Sequence, residues 1–371
     1  MDNARSVNKS GSSRKKNRAP LYAAVDLGTN NCRLLIARRR ASTFRVIDSY
    51  AQIVRLGEGL AASGRLSEAA ILRAIDALTA IRRKLKHHGV GHVRCIATEA
   101  CRKAENGATF IRRVQDETRL SFKIINPKEE AHLAAIGCHD LLDAETDLFM
   151  VLDIGGGSTE ISFVDLSKQQ DRSVQRLVKS APIRAWASFP LGVVTLSESF
   201  AHLGEADAYP RMVAHARDHF EKWSDGTCYR DTIQTTSSHI IGTSGTVTCL
   251  AGVHLGLEKY RRDRVDGLWL ERDETDAVIN TLKVSGLAGR EALPTIGKER
   301  AGLMLSGCAI LEAAWDTWPA PQLRVADRGL REGLLLSMMH GGKRRSGSRR
   351  GRRRRSRVQA MKSAVQAEAV E

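Results

Sequence analysis

AAVDLGTNNCRLLIA (residues 23–37) and MVLDIGGGSTEISFV (residues 150–164) are one pattern written twice, 127 residues apart. Each runs from apolar residues to an aspartate (Asp26, Asp153), then an apolar residue, a glycine-bearing polar loop and a returning apolar strand. An apolar run, a short loop and a second apolar run predict a β-hairpin. Working outward from the first copy, Phe44, Val46 and Ile47 continue as a third strand. Ala70, Ile71, Ala74, Ile75, Leu78, Ile81 and Leu85 recur at helical spacing between an N-cap candidate, Ser67, and a stop, Gly89. His92–Ala97 reads as strand, Thr109–Thr118 as helix and Ser121–Ile125 as strand, an α/β layout. Outward from the second copy come helices over Ala208–Trp223, Thr246–Leu257, Glu274–Val284, Glu299–Trp315 and Leu330–Met339, with a strand at His239–Ile241. The repeat divides the chain near Asp143–Asp147 into halves, 21–145 and 146–340, with a cleft between them, flanked by a basic arm (1–20) and an Arg-rich tail (341–371).

Charge separates body from tails. Of the formal +16 carried by 371 residues, residues 1–20 hold +5 and residues 341–371 hold +9, leaving a body of only +2. Both tails are too polar to bury themselves and are expected to be disordered. With 42% hydrophobic residues, the body has material for two interiors. No run of about 18 uncharged apolar residues exists, so no membrane span is expected, and the N-terminus lacks the apolar core of a secretory signal. Seven scattered cysteines without a C-x-x-C pair argue against a disulfide framework or zinc site, making a reducing cytoplasm the expectation.

The loops carry the chemistry. In Asp153-Ile154-Gly155-Gly156-Gly157-Ser158-Thr159, adjacent glycines let N–H groups converge on an anionic oxygen, and Ser158 and Thr159 add hydroxyl donors. Asp153, at the end of its strand, is placed to hold Mg²⁺ directly or through water. Asp26-Leu27-Gly28-Thr29-Asn30-Asn31 repeats the arrangement, with Arg33 just beyond it as a fork for an oxyanion or a surface charge. A third loop, Gly242-Thr243-Ser244-Gly245-Thr246, follows a strand and opens a helix whose first N–H groups are free. In Asn126-Pro127-Lys128-Glu129-Glu130-Ala131, Asn126 suits an N-cap and Pro127 the first helical position, so Glu129 is expected to close a capping box. Glu130 has no such explanation; it is either an ordinary surface carboxylate or a base for water. Arg102, where a strand gives way to a helix, reads on spacing alone as a surface residue, and His87, His88, His132, His139 and His340 form no ligand set.

Taken together, these loops resemble the phosphate-binding hairpins of the actin-like ATPase superfold. The run from Leu21 to Met339 resembles, more closely, the exopolyphosphatase/guanosine pentaphosphate phosphatase (Ppx/GppA) family. The matching motifs are Asp26–Arg33, Ala97–Arg102, Glu129-Glu130-Ala131, Val151–Glu160, Gly242–Thr246 and Gly329-Leu330-Arg331-Glu332-Gly333, in the family's order. The resemblance implies two ribonuclease-H-like domains clasping a phosphate chain end. It implies Glu130 as the base, Asp153 and Asp26 beside Mg²⁺ or another divalent cation, and Arg33 and Arg102 as the arginines that grip phosphate. The implied reaction is hydrolysis of a terminal phosphoanhydride of inorganic polyphosphate or, alternatively, of guanosine pentaphosphate.

Departures from the family pattern are Thr29 and Asn31 where serines are common, and His132 where an arginine is common. The chain as given also lacks the additional C-terminal helical domains of longer members. Two rival readings are a sugar kinase on the same superfold, which would need a hydroxyl acceptor, and a non-catalytic polyphosphate or nucleotide sensor. The Arg-rich tail is expected either to bind polyanions non-specifically or to act as a solvated tail, and a homodimer is left open.

Overall fold

The computed structural model describes residues 19–341 apart from Ala144 and Thr236, so the expected disorder of the two tails lies, almost entirely, outside the described residues. The first half builds β1 (Leu21–Leu27), β2 (Asn31–Arg39), β3 (Phe44–Ile53), β4 (His92–Ala97) and β5 (Phe122–Ile124) into a sheet of order β3-β2-β1-β4-β5. The first three strands form an antiparallel meander; β4 runs parallel to β1 and β5 parallel to β4. Numbering only the helices needed below, α1 (Glu68–His88), α2 (Glu99–Lys103) and α3 (Gly107–Thr118) complete this half, and α4 (Pro127–Gly137) leads out of it. In α1 the Ser67 hydroxyl accepts from Ala70 N at 3.3 Å and Gly89, at φ 60°, ends the helix, while the apolar stripe read from the sequence is buried.

The second half repeats the plan. β6 (Leu148–Ile154), β7 (Thr159–Asp165), β8 (Ile183–Phe189), β9 (Ser238–Thr243), β10 (Trp269–Leu270) and β11 (Leu323–Ala326) form the order β8-β7-β6-β9-β11-β10. A meander continued by two parallel strands on the far side of its first strand is the ribonuclease-H-like layout, here used twice, with β10 as an added antiparallel edge. Its helices include α5 (Val193–Ser199), α6 (Glu205–Glu221), α7 (Gly245–His254), α8 (Arg272–Val284), α9 (Met304–Thr317) and α10 (Leu330–His340). The single helix expected over Glu299–Trp315 is broken: Lys298–Ala301 and Met304–Thr317 are separate, with Gly302 and Leu303 between them.

Two helices tie the halves together. One side of α4 supplies Ala134 and Ala135, joined by Cys138 just past its end, to a cluster with Phe149, Val151 and Ile241 of the second sheet. Its Leu133 joins Leu334, Leu335 and Met339 of α10 against Ala24, Leu35 and Ile96 of the first sheet. The last helix of the chain thus returns to the first sheet, and the α4–α10 pair lies between the sheets. The two backbones touch: a Cβ on Gly137 would overlap the Gly329 carbonyl, and one on Gly333 the Leu133 carbonyl. Gly333→Ala gains about 1 kcal/mol of helix propensity but forces rigid backbones apart, an overpacking cost of about 1–3 kcal/mol or more. The expected result is a lowered urea midpoint; an unchanged or raised one would mean that the crossing yields freely.

Candidate active site

The two hairpin loops meet. Gly28 N donates to Asn31 O (2.9 Å) and Gly155 N to Ser158 O (2.8 Å), so both turns close in the same way. A strap holds each loop from behind. Val54 N and Arg55 N donate to Asn30 O and Gly57 N to Thr29 O, while Val193 N and Val194 N donate to Gly155 O and Gly156 O. With the carbonyls held by the straps, no acceptor takes the N–H of Thr29, Asn30, Gly156 or Gly157 among the described residues. A Cβ on Gly156 would lie 3.0 Å from Thr29 Cβ and 3.1 Å from Asn30 N, so the tips of the two loops are in contact across the junction of the halves. Unpaired N–H groups on two facing loops make an oxyanion-binding concavity.

The hairpin register places charge beneath the loops. Asp26 pairs with Arg33 across β1–β2, and Asp153 pairs with Glu160 across β6–β7, the same seven-residue offset. Asp26 is half-buried with its Oδ1 enclosed, and its carboxyl is pushed up to about 6, first by desolvation and further by Asp153 and Glu332, against Arg33 and Arg331. Burial also raises Asp153, against the Thr243 hydroxyl and Arg33. Arg33 is half-buried, and desolvation and the Arg331 guanidinium oppose its charge, while Asp26 favours it. Burial first and Asp153 next raise Glu160, against hydrogen bonds from Ser188 (2.7 Å) and Ser158 (2.8 Å).

Glu130 enters from α4. The Asn126 side chain caps that helix by accepting from Glu129 N at 2.8 Å, and Pro127 occupies its first turn. Glu129 does not close the expected capping box; its carboxylate turns to Lys123 and Arg94, which leave it better satisfied than one backbone N–H would. Glu130 is buried rather than on the surface, with its carboxylate 3.0 Å from Arg102 Nη1. Burial, then the Glu160 carboxylate, push it well above the usual carboxylate range, against Arg102. Arg102 is likewise not a surface residue: it also bonds Ile125 O (2.7 Å) and Glu99.

The structure therefore gathers Asp26, Gly28–Asn31, Arg33, Arg102, Glu130, Asp153 and the Gly155–Ser158 loop at one place. The third loop joins at Thr243, which stands beside Asp153 in the β6–β9 register. Gly242 lies within β9, Ser244 holds a φ of 151° and caps α7 through Val247 N (3.3 Å), and Gly245 opens that helix. The expectation for the loop hydroxyls is also corrected. The hydroxyls of Ser158 and Thr159 are not free donors; Ser158 donates to Glu160 and Thr159 to Leu191 O, leaving backbone N–H groups as the donors of that loop. Residues the sequence reading left without a role are Glu99, Glu160, Ser188, Arg331 and Glu332, although Glu160 stands seven residues after Asp153 as Arg33 does after Asp26, a spacing that the repeat could have shown.

These residues fit a hard divalent cation. Asp26 Oδ1 is buried without a hydrogen-bond partner, and the nearby Asp153 carboxylate acts on it. Among the described residues no three His, Cys, Asp or Glu side chains are grouped at ligand spacing. The two carboxylates Asp26 and Asp153 match the donor set of Mg²⁺, which keeps several waters and takes one or two carboxylates beside substrate phosphates. Without a cation, the buried charge costs stability. The rise of Asp26 from 3.8 to about 6 corresponds to roughly 3 kcal/mol. Because the folded value is raised, this cost is absent below about pH 4 and fully present above about pH 6. In metal-free buffer Asp26→Asn is therefore expected to melt higher than wild type at pH 8, with the gain vanishing near pH 4. A variant that melts lower at pH 8 would mean that Arg33 and Arg331 fully compensate Asp26.

Twin ribonuclease-H-like sheets with facing glycine loops at their junction define a protein of the actin-like ATPase superfold. Within it, the chain belongs to the Ppx/GppA phosphatase family, which it matches over residues 35–341. It is similar to the guanosine-5'-triphosphate,3'-diphosphate pyrophosphatase of Aeromonas salmonicida, 28% identical over 323 residues, 86% of this chain and 60% of that protein. The chain thus spans less than two thirds of the length of that relative. A Haemophilus influenzae relative that carries the provisional name exopolyphosphatase is 27% identical over 85% of this chain and 90% of its own length. The crystal structure of the Aquifex aeolicus Ppx/GppA family member superposes with a TM-score of 0.69 at 27% identity, covering 86% of this chain and 97% of that one.

Proposed function

We propose that this protein is an exopolyphosphatase that hydrolyses the terminal phosphoanhydride of inorganic polyphosphate and releases orthophosphate. The observation that carries this reading is the placement of Glu130: a buried carboxylate of raised pKa, oriented by Arg102, at the junction where two glycine loops present free N–H groups. In the proposed step a water oxygen bonds to the terminal phosphorus while the bond from that phosphorus to the bridging oxygen breaks. Glu130 takes the proton of the water, and the shortened chain leaves with the bridging oxygen. The loop N–H groups and Arg33 stabilise the charge on the terminal phosphoryl oxygens. A divalent cation held by Asp153 and Asp26 would supply charge neutralisation at the phosphates.

Guanosine pentaphosphate is the second reading, favoured by the name of the Aeromonas salmonicida relative. The proposal for polyphosphate draws on the near-full coverage of the Haemophilus influenzae relative. Orthophosphate release from tripolyphosphate, long-chain polyphosphate and guanosine pentaphosphate, compared side by side with Mg²⁺, tests both. Higher kcat/KM on polyphosphate supports the first reading, and preference for the nucleotide replaces it with the second. Turnover of neither sinks both. Cytoplasmic residence belongs to the same proposal and draws on seven free thiols and on the lack of any described helix long and apolar enough to cross a membrane. Polyanion binding by residues 341–371 draws on their net +9 charge.

A further inference from the structure

Three described residues other than glycine hold a positive φ: Arg55 (48°), Arg119 (60°) and Ser244 (151°). Arg119 ends α3, and Ser244 caps α7. Arg55 has neither task. It stands on the strap behind the first loop, where Val54 N (2.9 Å) and its own N–H (3.0 Å) donate to Asn30 O and Gly57 N (2.9 Å) donates to Thr29 O. Glycine would serve such a backbone without strain, and the strap already uses it so at Gly59, φ 69°. A long charged side chain kept in the left-handed region calls for a use of that side chain.

The surroundings leave the side chain uncommitted. Arg55 is exposed, and among the described residues its guanidinium has no ion pair or hydrogen bond. Two carboxylates close to the strap are engaged elsewhere. Glu58 pairs with Arg73 at 2.7 Å, and Glu198 of α5 accepts from Gly59 N at 3.1 Å, a bond that joins the strap to the second half. Arg73 in turn holds Val54 O (2.9 Å) and Arg55 O (3.3 Å), so the backbone is fixed while the charge is free. Fixed backbone with a free guanidinium is the arrangement that recognises a phosphate group through two parallel N–H donors.

We propose that Arg55 contacts substrate in the site described above, binding the part of a phosphate chain that emerges from between the loops, and so sets affinity for anions longer than orthophosphate. The inference rests on the loops being a phosphate-chain site, but not on hydrolysis. Its test is direct binding of inorganic tripolyphosphate and of orthophosphate at 0.15 M salt, with Glu130→Gln as the background so that the ligand survives. Arg55→Gly and Arg55→Lys are added to that background, and melting temperature is read for each. The expected result is an approximately tenfold weaker Kd for tripolyphosphate in Arg55→Gly, an orthophosphate Kd changed less than twofold, a melting temperature equal or higher because the backbone strain is gone, and partial recovery in Arg55→Lys. Tripolyphosphate affinity within twofold of the background overturns the proposal. So does a loss that accompanies a lowered melting temperature and is not recovered by lysine, since the residue would then act only on the strap. If the wild-type chain binds tripolyphosphate through Arg55 yet releases no orthophosphate, the hydrolase reading fails and this one stands.

Discussion

Glu130→Gln is expected to lower kcat for orthophosphate release by about 10²–10⁴-fold, the range over which a positioned general base contributes, while tripolyphosphate binding changes little. The substitution keeps the size of the side chain and an oxygen facing Arg102, which stands 3.0 Å from the carboxylate. It removes only the capacity to accept a proton from water. Single-turnover kinetics separate the outcomes: slowed chemistry with retained affinity supports Glu130 as the base, and turnover within a few-fold of wild type assigns the proton elsewhere. Loss of affinity instead would mean that the Glu130–Arg102 pair acts by holding the site together.

The same residue sets a pH signature. A base acts only when deprotonated, and burial with the Glu160 carboxylate holds Glu130 well above the usual carboxylate range. The acidic limb of kcat/KM is therefore expected above that range, with activity falling as pH drops through it. Glu160→Gln removes one of the charges that opposes ionisation of Glu130, so the limb should move to lower pH. Because the two carboxylates interact, the limb belongs to the pair, and both single variants are needed to read it.

Much of this site can be read from the sequence because its chemistry is local. The Asp26 and Asp153 hairpins announce themselves through an apolar run, an aspartate and a glycine-bearing loop, and the ends of α1 through Ser67 and Gly89. What cannot be read is set by distant partners. Spacing assigns Glu129 to a capping box, but Lys123 and Arg94 take its carboxylate across the turn from β5 and from β4. β11 is four residues long and β8 is a half-exposed edge strand, so neither stands out as an apolar run. The return of α10 to the first sheet is a tertiary fact carried by Gly137 and Gly333, which sequence alone shows only as two helical glycines.

The contact between the loops yields the second large effect. A Cβ on Gly157 would lie 2.7 Å from Thr29 Oγ1 and 3.3 Å from Glu99 Cγ. Thr29 cannot retreat, because its methyl already fills the space where Gly57 lacks a Cβ, and Glu99 is held by Arg102 and Lys103. Gly157→Val must therefore open the junction between the halves rather than be absorbed. A displacement of about 1 Å at a phosphoryl-transfer site costs roughly 10²-fold, and Glu130 comes from α4, an element separate from the loop. Gly157→Val is thus expected to lose about 10²-fold in kcat/KM while melting within a few degrees of wild type, because the clusters that form each half's core are untouched. Gly204→Ala, whose added Cβ meets nothing within 4 Å, serves as the control and should keep full activity. If Gly157→Val turns over within threefold of wild type, the two loops do not act on one substrate, and the facing hairpins lose their claim to be the site.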